Sequence, residues 1–135
     1  MSDLSRFHAA QDGVWETALA EVEAGRKRTH WMWFLFPQLR GLGRSETARR
    51  YGVDGAAEAR AYLADPVLRD RLDRMARALL RHAGGDLDAI LGPVDALKLH
   101  SSMTLFEGVD PDGPWSAVLD AFGGGRCPHT QGELN

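Results

Sequence analysis

A short turn in the first half of the chain combines groups that can bind an anion. Its residues are Gly41, Gly43, Arg44 and Ser45. The glycines let a ligand approach the backbone, the guanidinium is positively charged, and the serine marks a helix start, where free amide groups attract anions. The turn lacks the preceding strand of a dinucleotide-binding site and the Gly-Lys-Ser of a P-loop. We interpret it as a candidate phosphate or carboxylate site, with a plain helix connection as the alternative.

A second block, near residue 100, brings a cation and two hydroxyls onto one helix face. Lys98, Ser101 and Ser102 are spaced i, i+3 and i+4, so they share a face of a predicted helix. A desolvated lysine can activate a serine nucleophile, although the order here is the reverse of the Ser-x-x-Lys of serine–lysine hydrolases. Serines on a helix also allow close helix packing. We treat these residues as candidates for ligand binding.

Each block also contains a histidine, the side chain best suited to proton transfer near neutral pH. His30 and His100 are therefore candidate bases, and Lys98 could hold the negative charge of a substrate. This combination makes a hydrolase or a transferase the alternative function, whereas a structural role for either histidine is the simpler interpretation. Trp33 and Gln38, between His30 and the glycine turn, complete the set of ligand-binding candidates.

The segments that carry these residues have the sequence patterns of helices. The strongest signal is Asp65-Pro66, because aspartate caps free amides and proline suits the first turn of a helix. This helix should run to about His82 and end at Gly84-Gly85. Its predicted buried stripe is Leu68, Leu72, Met75 and Leu79, and its predicted surface ion pairs are Asp70 with Arg74 and Asp73 with Arg77.

Further helical patterns occur throughout the chain, and no segment alternates convincingly as a strand would. Trp31–Phe36 is apolar on every face, which fits a buried helix or a buried strand; with no second strand to pair it, we predict a helix. The other predicted helices are about 4–11, 14–24, 45–51, 56–63, 86–91, 93–106 and 114–122. The sequence thus predicts an all-α, compact single-domain bundle of about six to eight short and medium helices over residues 1–122, followed by a loosely ordered tail at 123–135.

Composition is that of one ordinary globular domain. The chain has 135 residues, 44% hydrophobic and 26% charged, enough for one core. The longest apolar run, Trp31–Phe36, is too short to span a membrane, and the N-terminal residues do not resemble an export signal. Cys127 is the only cysteine, so an internal disulfide or a cysteine-based zinc site cannot form. We therefore expect a cytoplasmic protein without a metal or a cofactor.

Charge is distributed unevenly along the chain, although the formal net charge is only −3. Residues 26–50 are strongly cationic, and residues 86–120 are mostly acidic. The cationic segment could face the acidic one, or it could meet an anionic ligand. Nucleic-acid binding ranks third among the functions, because the aromatic residues look buried, the net charge is negative and no nucleic-acid motif is present.

Two long motifs give the chain a resemblance to a known family. They are HWMWFLFPQL followed by GLGRS at residues 30–45, with Ala48 and Tyr51-Gly52, and LKL with SSMTLF at residues 97–106. From about Leu4 to Phe122 the chain resembles the bacterial family called domain of unknown function 1810, some members of which carry a calpastatin-like label.

This resemblance implies a compact all-α domain and supplies no established reaction or catalytic residues. Calpastatin is a disordered protein, so the label is not transferred to a chain with the composition of a packed domain. The glycine-rich residues Gly123–Arg126 depart from the family pattern. Residues and resemblance together predict a helical domain of unknown function, and the residues alone give binding of a small anionic or nucleotide-like ligand as the first hypothesis.

Overall fold

The structure is a computed structural model that describes residues 4–123 and 125–134. In this part of the chain ten helices form: α1 (Ser5–Asp12), α2 (Trp15–Glu23), α3 (Met32–Leu35), α4 (Glu46–Tyr51), α5 (Ala56–Ala64), α6 (Pro66–Leu80), α7 (Leu87–Leu91), α8 (Pro93–Val109), α9 (Trp115–Phe122) and α10 (Pro128–Leu134). The predicted all-α class is confirmed. The number of helices exceeds the predicted range of about six to eight, and the helix that the sequence did not predict is 128–134.

Helix α6 confirms the prediction made from local signals. The Asp65 carboxylate accepts hydrogen bonds from the amides of Val67 and Leu68, at 3.0 and 3.1 Å. The predicted apolar stripe is buried, and both predicted i, i+4 ion pairs are present on the exposed side of the helix. Because exposed pairs of this kind contribute only a few tenths of a kcal/mol each, burial of the stripe sets the orientation of α6.

Helix α8 packs against α5, α7, α9 and α10 and carries the second block of candidate residues. Phe106 anchors it, with ring centroids 5.3 Å from Tyr62 of α5 and 6.0 Å from Trp115 of α9. All three rings are fully buried. Aromatic side chains bury large apolar areas, so these contacts fix the position of α8 in the core.

The tryptophan-rich segment is helical over fewer residues than predicted. Only Met32–Leu35 forms a helix, and Phe36 leaves it with φ −127° and ψ 70°. The cause is Pro37, because a proline disfavours the helical conformation of the residue before it.

After Pro37 the chain forms a short β-type contact with a later segment. The amide of Val53 donates to the Gln38 carbonyl at 2.9 Å, and the amide of Arg40 donates to the Val53 carbonyl at 2.7 Å. At Gly52 a β-carbon would lie 2.7 Å from the Arg40 Cα, so only glycine allows this approach. The contact closes the base of the turn that contains Gly41–Ser45.

The C-terminal segment, predicted to be loosely ordered, contains a packed helix. Helix α10 packs against α8, and Gly108 leaves room for Leu134. Arg126 ties the preceding segment down through hydrogen bonds to Glu107 and Asp120, at 2.6 to 3.0 Å. Residues 124 and 135 of the predicted tail, and residues 1–3 of the predicted domain, lie outside the described residues. Within the described residues, no helix is long and apolar enough to span a lipid bilayer.

Candidate functional site

Two lysines converge on one carboxylate at the start of α8. The Lys98 ammonium lies 3.1 Å from Asp95 Oδ1, and the Lys27 ammonium lies 3.0 Å from Asp95 Oδ2. These are the only lysines among the 16 cationic residues of the chain; the other cations are arginines. Since two positive charges share one negative charge, the group carries one excess positive charge.

Each of these lysines also lies over a tryptophan ring. The Lys27 nitrogen is 5.2 Å from the ring centroid of Trp31, and the Lys98 nitrogen is 4.1 Å from that of Trp33. At these distances an ammonium is attracted to the aromatic face, and the attraction strengthens as water is excluded. Trp31 is buried and Trp33 is half-buried, so the second ring borders solvent. We call Lys27, Trp31, Trp33, Asp95 and Lys98 the lysine–tryptophan cluster.

A buried carboxylate from α2 holds the loop that carries Lys27. Glu21 accepts hydrogen bonds from the amides of Arg28 and Thr29, the Thr29 hydroxyl and the Trp31 indole N–H, at 2.7 to 3.0 Å. Burial alone would raise the pKa of Glu21, but these four donors outweigh it and lower the pKa to about 2. Glu21 therefore stays ionised and positions both the loop and the Trp31 ring.

The glycine turn reaches the cluster at Gly43. A β-carbon on Gly43 would lie 2.7 Å from the Ala48 Cβ and 3.5 Å from the Trp33 ring. The predicted candidates Trp33, Gly43 and Lys98 therefore meet, with the indole between the turn and α8. Glycine is required here because the turn packs directly on the first residues of α4 and on the indole.

We expect Gly43→Ala to destabilise the turn and to displace the Trp33 ring. The added methyl group would clash with the Ala48 side chain, which has no flexible end that could move away. Overpacking of this kind costs about 1–3 kcal/mol. Urea unfolding followed by circular dichroism gives the change in stability, with Gly13→Ala as the control, because a β-carbon on Gly13 meets no atom within 4 Å and its φ is −90°. An equal loss in both variants would mean that the contact with Ala48 does not cause the effect.

The other candidates in the first block occupy separate positions. The Ser45 hydroxyl accepts a hydrogen bond from the Ala48 amide at 3.1 Å and so caps α4. Gly41 lines a shallow hollow of about 300 Å3 together with Arg40 and Asp54. Gln38 is buried, and its carbonyl pairs with Val53.

Arg44 and His30 are both exposed at the surface. Within the described residues, Arg44 has no ion-pair partner. His30 directly precedes Trp31, at the end of the loop that Glu21 holds, and Arg44 directly follows Gly43. The side chains of Arg44 and His30 are therefore accessible from solvent near the lysine–tryptophan cluster.

The two serines of α8 do not join the lysine–tryptophan cluster. Ser102 is fully buried, and its hydroxyl has no hydrogen-bond partner among the described residues. The Ser101 hydroxyl donates to the Leu97 carbonyl at 3.3 Å and faces a cavity that Cys127 and His100 also line. Neither hydroxyl hydrogen-bonds Lys98, so the structure offers no geometric support for a serine–lysine nucleophile.

Sequence reasoning missed Lys27, Asp95 and Glu21 as parts of the site. Two signals could have identified Asp95 and Lys27: Asp95 precedes Lys98 at i, i+3 spacing, and lysine is rare in the chain. No comparable signal links Glu21 to the loop, because an acidic residue on a helix is usually solvated. Among the described residues, no three histidine, cysteine, aspartate or glutamate side chains could hold a metal ion together.

Comparison with models of protein families identifies the family of this chain. The model of a protein family described as "Protein of unknown function (DUF1810)" matches residues 1–134. The chain belongs to the DUF1810 family. A solved structure similar to this DUF1810 chain is that of the conserved hypothetical protein Rv1873 from Mycobacterium tuberculosis. The two are 45% identical and superpose with a TM-score of 0.92, over 96% of this chain and 94% of the other. No curated protein matches the chain.

Proposed function

We propose that this domain binds a small anionic ligand of the nucleotide type at the lysine–tryptophan cluster. The observation that carries the proposal is that two ammonium groups share a single carboxylate between two indole rings. An ammonium has three N–H donors, and the structure commits one donor of each lysine to Asp95. The remaining donors and the excess positive charge suit a phosphate or a carboxylate, and the half-buried Trp33 ring suits a planar group.

The surroundings of the cluster favour an anion as well. Arg28 and Arg44 are exposed, and within the described residues neither has an ion-pair partner. Unpaired cations at the rim raise the local concentration of anions and speed their association. A cytoplasmic location, predicted from the single cysteine, would expose the site to nucleotides and phosphorylated metabolites.

Hydrolase or transferase chemistry by a histidine together with Lys98 has less support. The Lys98 ammonium is held between Trp33 and Asp95, whereas His100 lines grooves formed with other residues of α7, α8 and the C-terminal segment. Among the described residues, no hydrogen bond joins either histidine to Lys98. Nucleic-acid binding also has less support, because Trp31 and Phe36 are fully buried and cannot stack on bases.

The proposal is tested by calorimetric titration of the full chain with ATP, ADP and inorganic pyrophosphate. We expect at least one of them to bind, and Lys98→Met to raise its Kd about tenfold or more, which corresponds to about 1.4 kcal/mol. Methionine keeps the length and the apolar contact of the lysine stem while removing the charge. The matched control is Arg60→Met, which removes an exposed cation of α5 that has no ion-pair partner among the described residues.

Two results would contradict the proposal. One is the absence of binding by all three compounds at millimolar concentration. The other is equal affinity of the wild type and Lys98→Met. A preference for pyrophosphate over both nucleotides would support an anion site but would contradict the stacking of a base on Trp33.

A further inference from the structure

A second set of reactive side chains lines a cavity beside α8 to which the lysine–tryptophan cluster does not contribute. Cys127, His100 and Ser101 line one cavity of about 240 Å3, together with Leu97, Arg126 and Pro128. A neighbouring groove of about 500 Å3 shares His100 and Leu97 with it. The cysteine is the only one in the chain, and α10 begins directly after it.

Hydrogen bonds place Cys127 beside the turn of α8 that carries His100. The Cys127 amide donates to the Thr104 hydroxyl at 3.0 Å, and that hydroxyl donates to the His100 carbonyl at 2.6 Å. His100 and Thr104 are one helical turn apart and so lie on the same face of α8. The thiol and the imidazole therefore face one cavity from adjoining positions.

One buried polar atom at this cavity lacks a hydrogen-bond partner. His100 lines the cavity, and its Nδ1 is inaccessible to solvent and unpaired among the described residues. Buried polar groups are nearly always satisfied, so this exception calls for a function or a missing partner. It belongs to the side chain that shares the cavity with Cys127.

The environment favours the thiolate form of Cys127. Burial raises the pKa of the thiol, but hydrogen bonds from the Thr130 hydroxyl and amide and from the His129 amide lower it below its ordinary value. Polar hydrogens directed at sulfur stabilise its negative charge, and the thiolate is the nucleophilic form.

We propose that Cys127 is a nucleophilic thiol, with His100 as its proton acceptor, in a second site that takes a small uncharged acyl compound. The ligand is uncharged because the only cation lining the cavity, among the described residues, is Arg126, which two carboxylates neutralise: Glu107 at 2.6 Å and Asp120 at 3.0 Å. The Leu97 and Pro128 side chains give the acyl group an apolar wall.

The reaction balances with water as the second substrate. His100 takes the thiol proton, the sulfur attacks the acyl carbon, and the bond to the leaving group breaks as that proton passes to the leaving group. The product is a thioester on Cys127. Water then adds to the acyl carbon with loss of its proton to His100, and cleavage of the C–S bond releases a carboxylic acid and restores the thiol.

The test uses p-nitrophenyl acetate and the full chain, with acetylation of Cys127 followed by mass spectrometry. Because the chain has a single cysteine, a thioester is assigned without ambiguity. We expect wild-type Cys127 to be acetylated about tenfold or more faster than glutathione under the same conditions, and His100→Gln to slow it by about tenfold or more. The matched control is Asp88→Asn, which changes a residue of the neighbouring groove and should leave the rate unchanged.

A wild-type rate no greater than that of glutathione would overturn the proposal, and this comparison needs no variant that might misfold. An unchanged rate in a folded His100→Gln variant would overturn the role of the imidazole. The reaction is measured without any added anion, so its outcome is independent of ligand binding at the lysine–tryptophan cluster.

Discussion

Replacing Glu21 with glutamine should lower the free energy of unfolding by about 3 kcal/mol. The carboxylate receives four donors inside the protein, and a carboxamide offers one acceptor oxygen and brings two hydrogens of its own. At least one buried donor then loses its partner, and the remaining hydrogen bonds lose the assistance of the charge. The loop that carries Lys27 would lose its anchor, so ligand binding should weaken together with stability.

The same carboxylate predicts a pH dependence. The pKa of Glu21 is about 2 in the folded chain, below its ordinary value of 4.5, despite the opposing effect of burial. Its contribution to stability is therefore complete above pH 4.5 and is lost as the pH falls towards 2. The stability difference between the wild type and Glu21→Gln should shrink over this range, which urea unfolding at pH 7, 4 and 3 can measure.

The matched control for this experiment is Glu23→Gln on the same helix. Glu23 is exposed and contacts only an exposed arginine, Arg81, at 3.3 Å among the described residues. Surface pairs of this kind contribute about 0–1 kcal/mol. Equal losses in the two variants would show that Glu21 does not hold the loop through its buried hydrogen bonds.

Truncating Phe106 to alanine should cost about 4 kcal/mol, because the change leaves a cavity where α5, α8 and α9 meet. The ring is fully buried and contacts both Tyr62 and Trp115. Loss of the ring would loosen α8, which carries Lys98 and His100. Chemical denaturation measures the cost, and a small loss would mean that neighbouring side chains collapse into the space.

Leu97→Ala is the matched control, since it shortens a large apolar side chain on the same helix. Leu97 is 71% exposed, so its truncation should change stability by no more than about 0.5 kcal/mol. A comparable loss in both variants would indicate that burial of the Phe106 ring does not determine the stability of α8.

Local sequence signals predict the fold well where the interacting residues are close in the sequence. Asp65 and Pro66 start α6 through groups within three residues of each other, and the apolar stripe of that helix follows from its period. The tryptophan-rich segment is less predictable, since Pro37 shortens its helix and a contact with Val53 redirects the chain. That contact joins residues far apart along the chain, which periodicity cannot indicate.

The candidate site was predictable in part for the same reason. Trp33, Gly43 and Lys98 stand out by residue type, and the structure brings them together. Lys27 joins them through Asp95, a partner distant in the sequence. The spacing of Ser101 suits the same face as Lys98, but its hydroxyl donates to the Leu97 carbonyl and faces a different cavity, which spacing alone does not indicate.

The surroundings of Cys127 could not be predicted, because the sequence predicts a loosely ordered tail at residues 123–135. Its environment arises only because α10 packs against α8 and Arg126 binds two carboxylates. Neither contact has a local sequence signal, since each joins residues of different helices.

Because the chain has only two lysines, chemical modification and isotopic labelling of lysine side chains affect only two positions. A lysine acetyltransferase or a reactive acyl phosphate would find side-chain amines only at Lys27 and Lys98. Acetylation of both would leave the Asp95 carboxylate without a counter-ion between two indoles, so the local electrostatic potential would change sign. Isotopic labelling of the lysine side-chain nitrogen would likewise give two ammonium NMR signals, and both would report on the surroundings of Asp95.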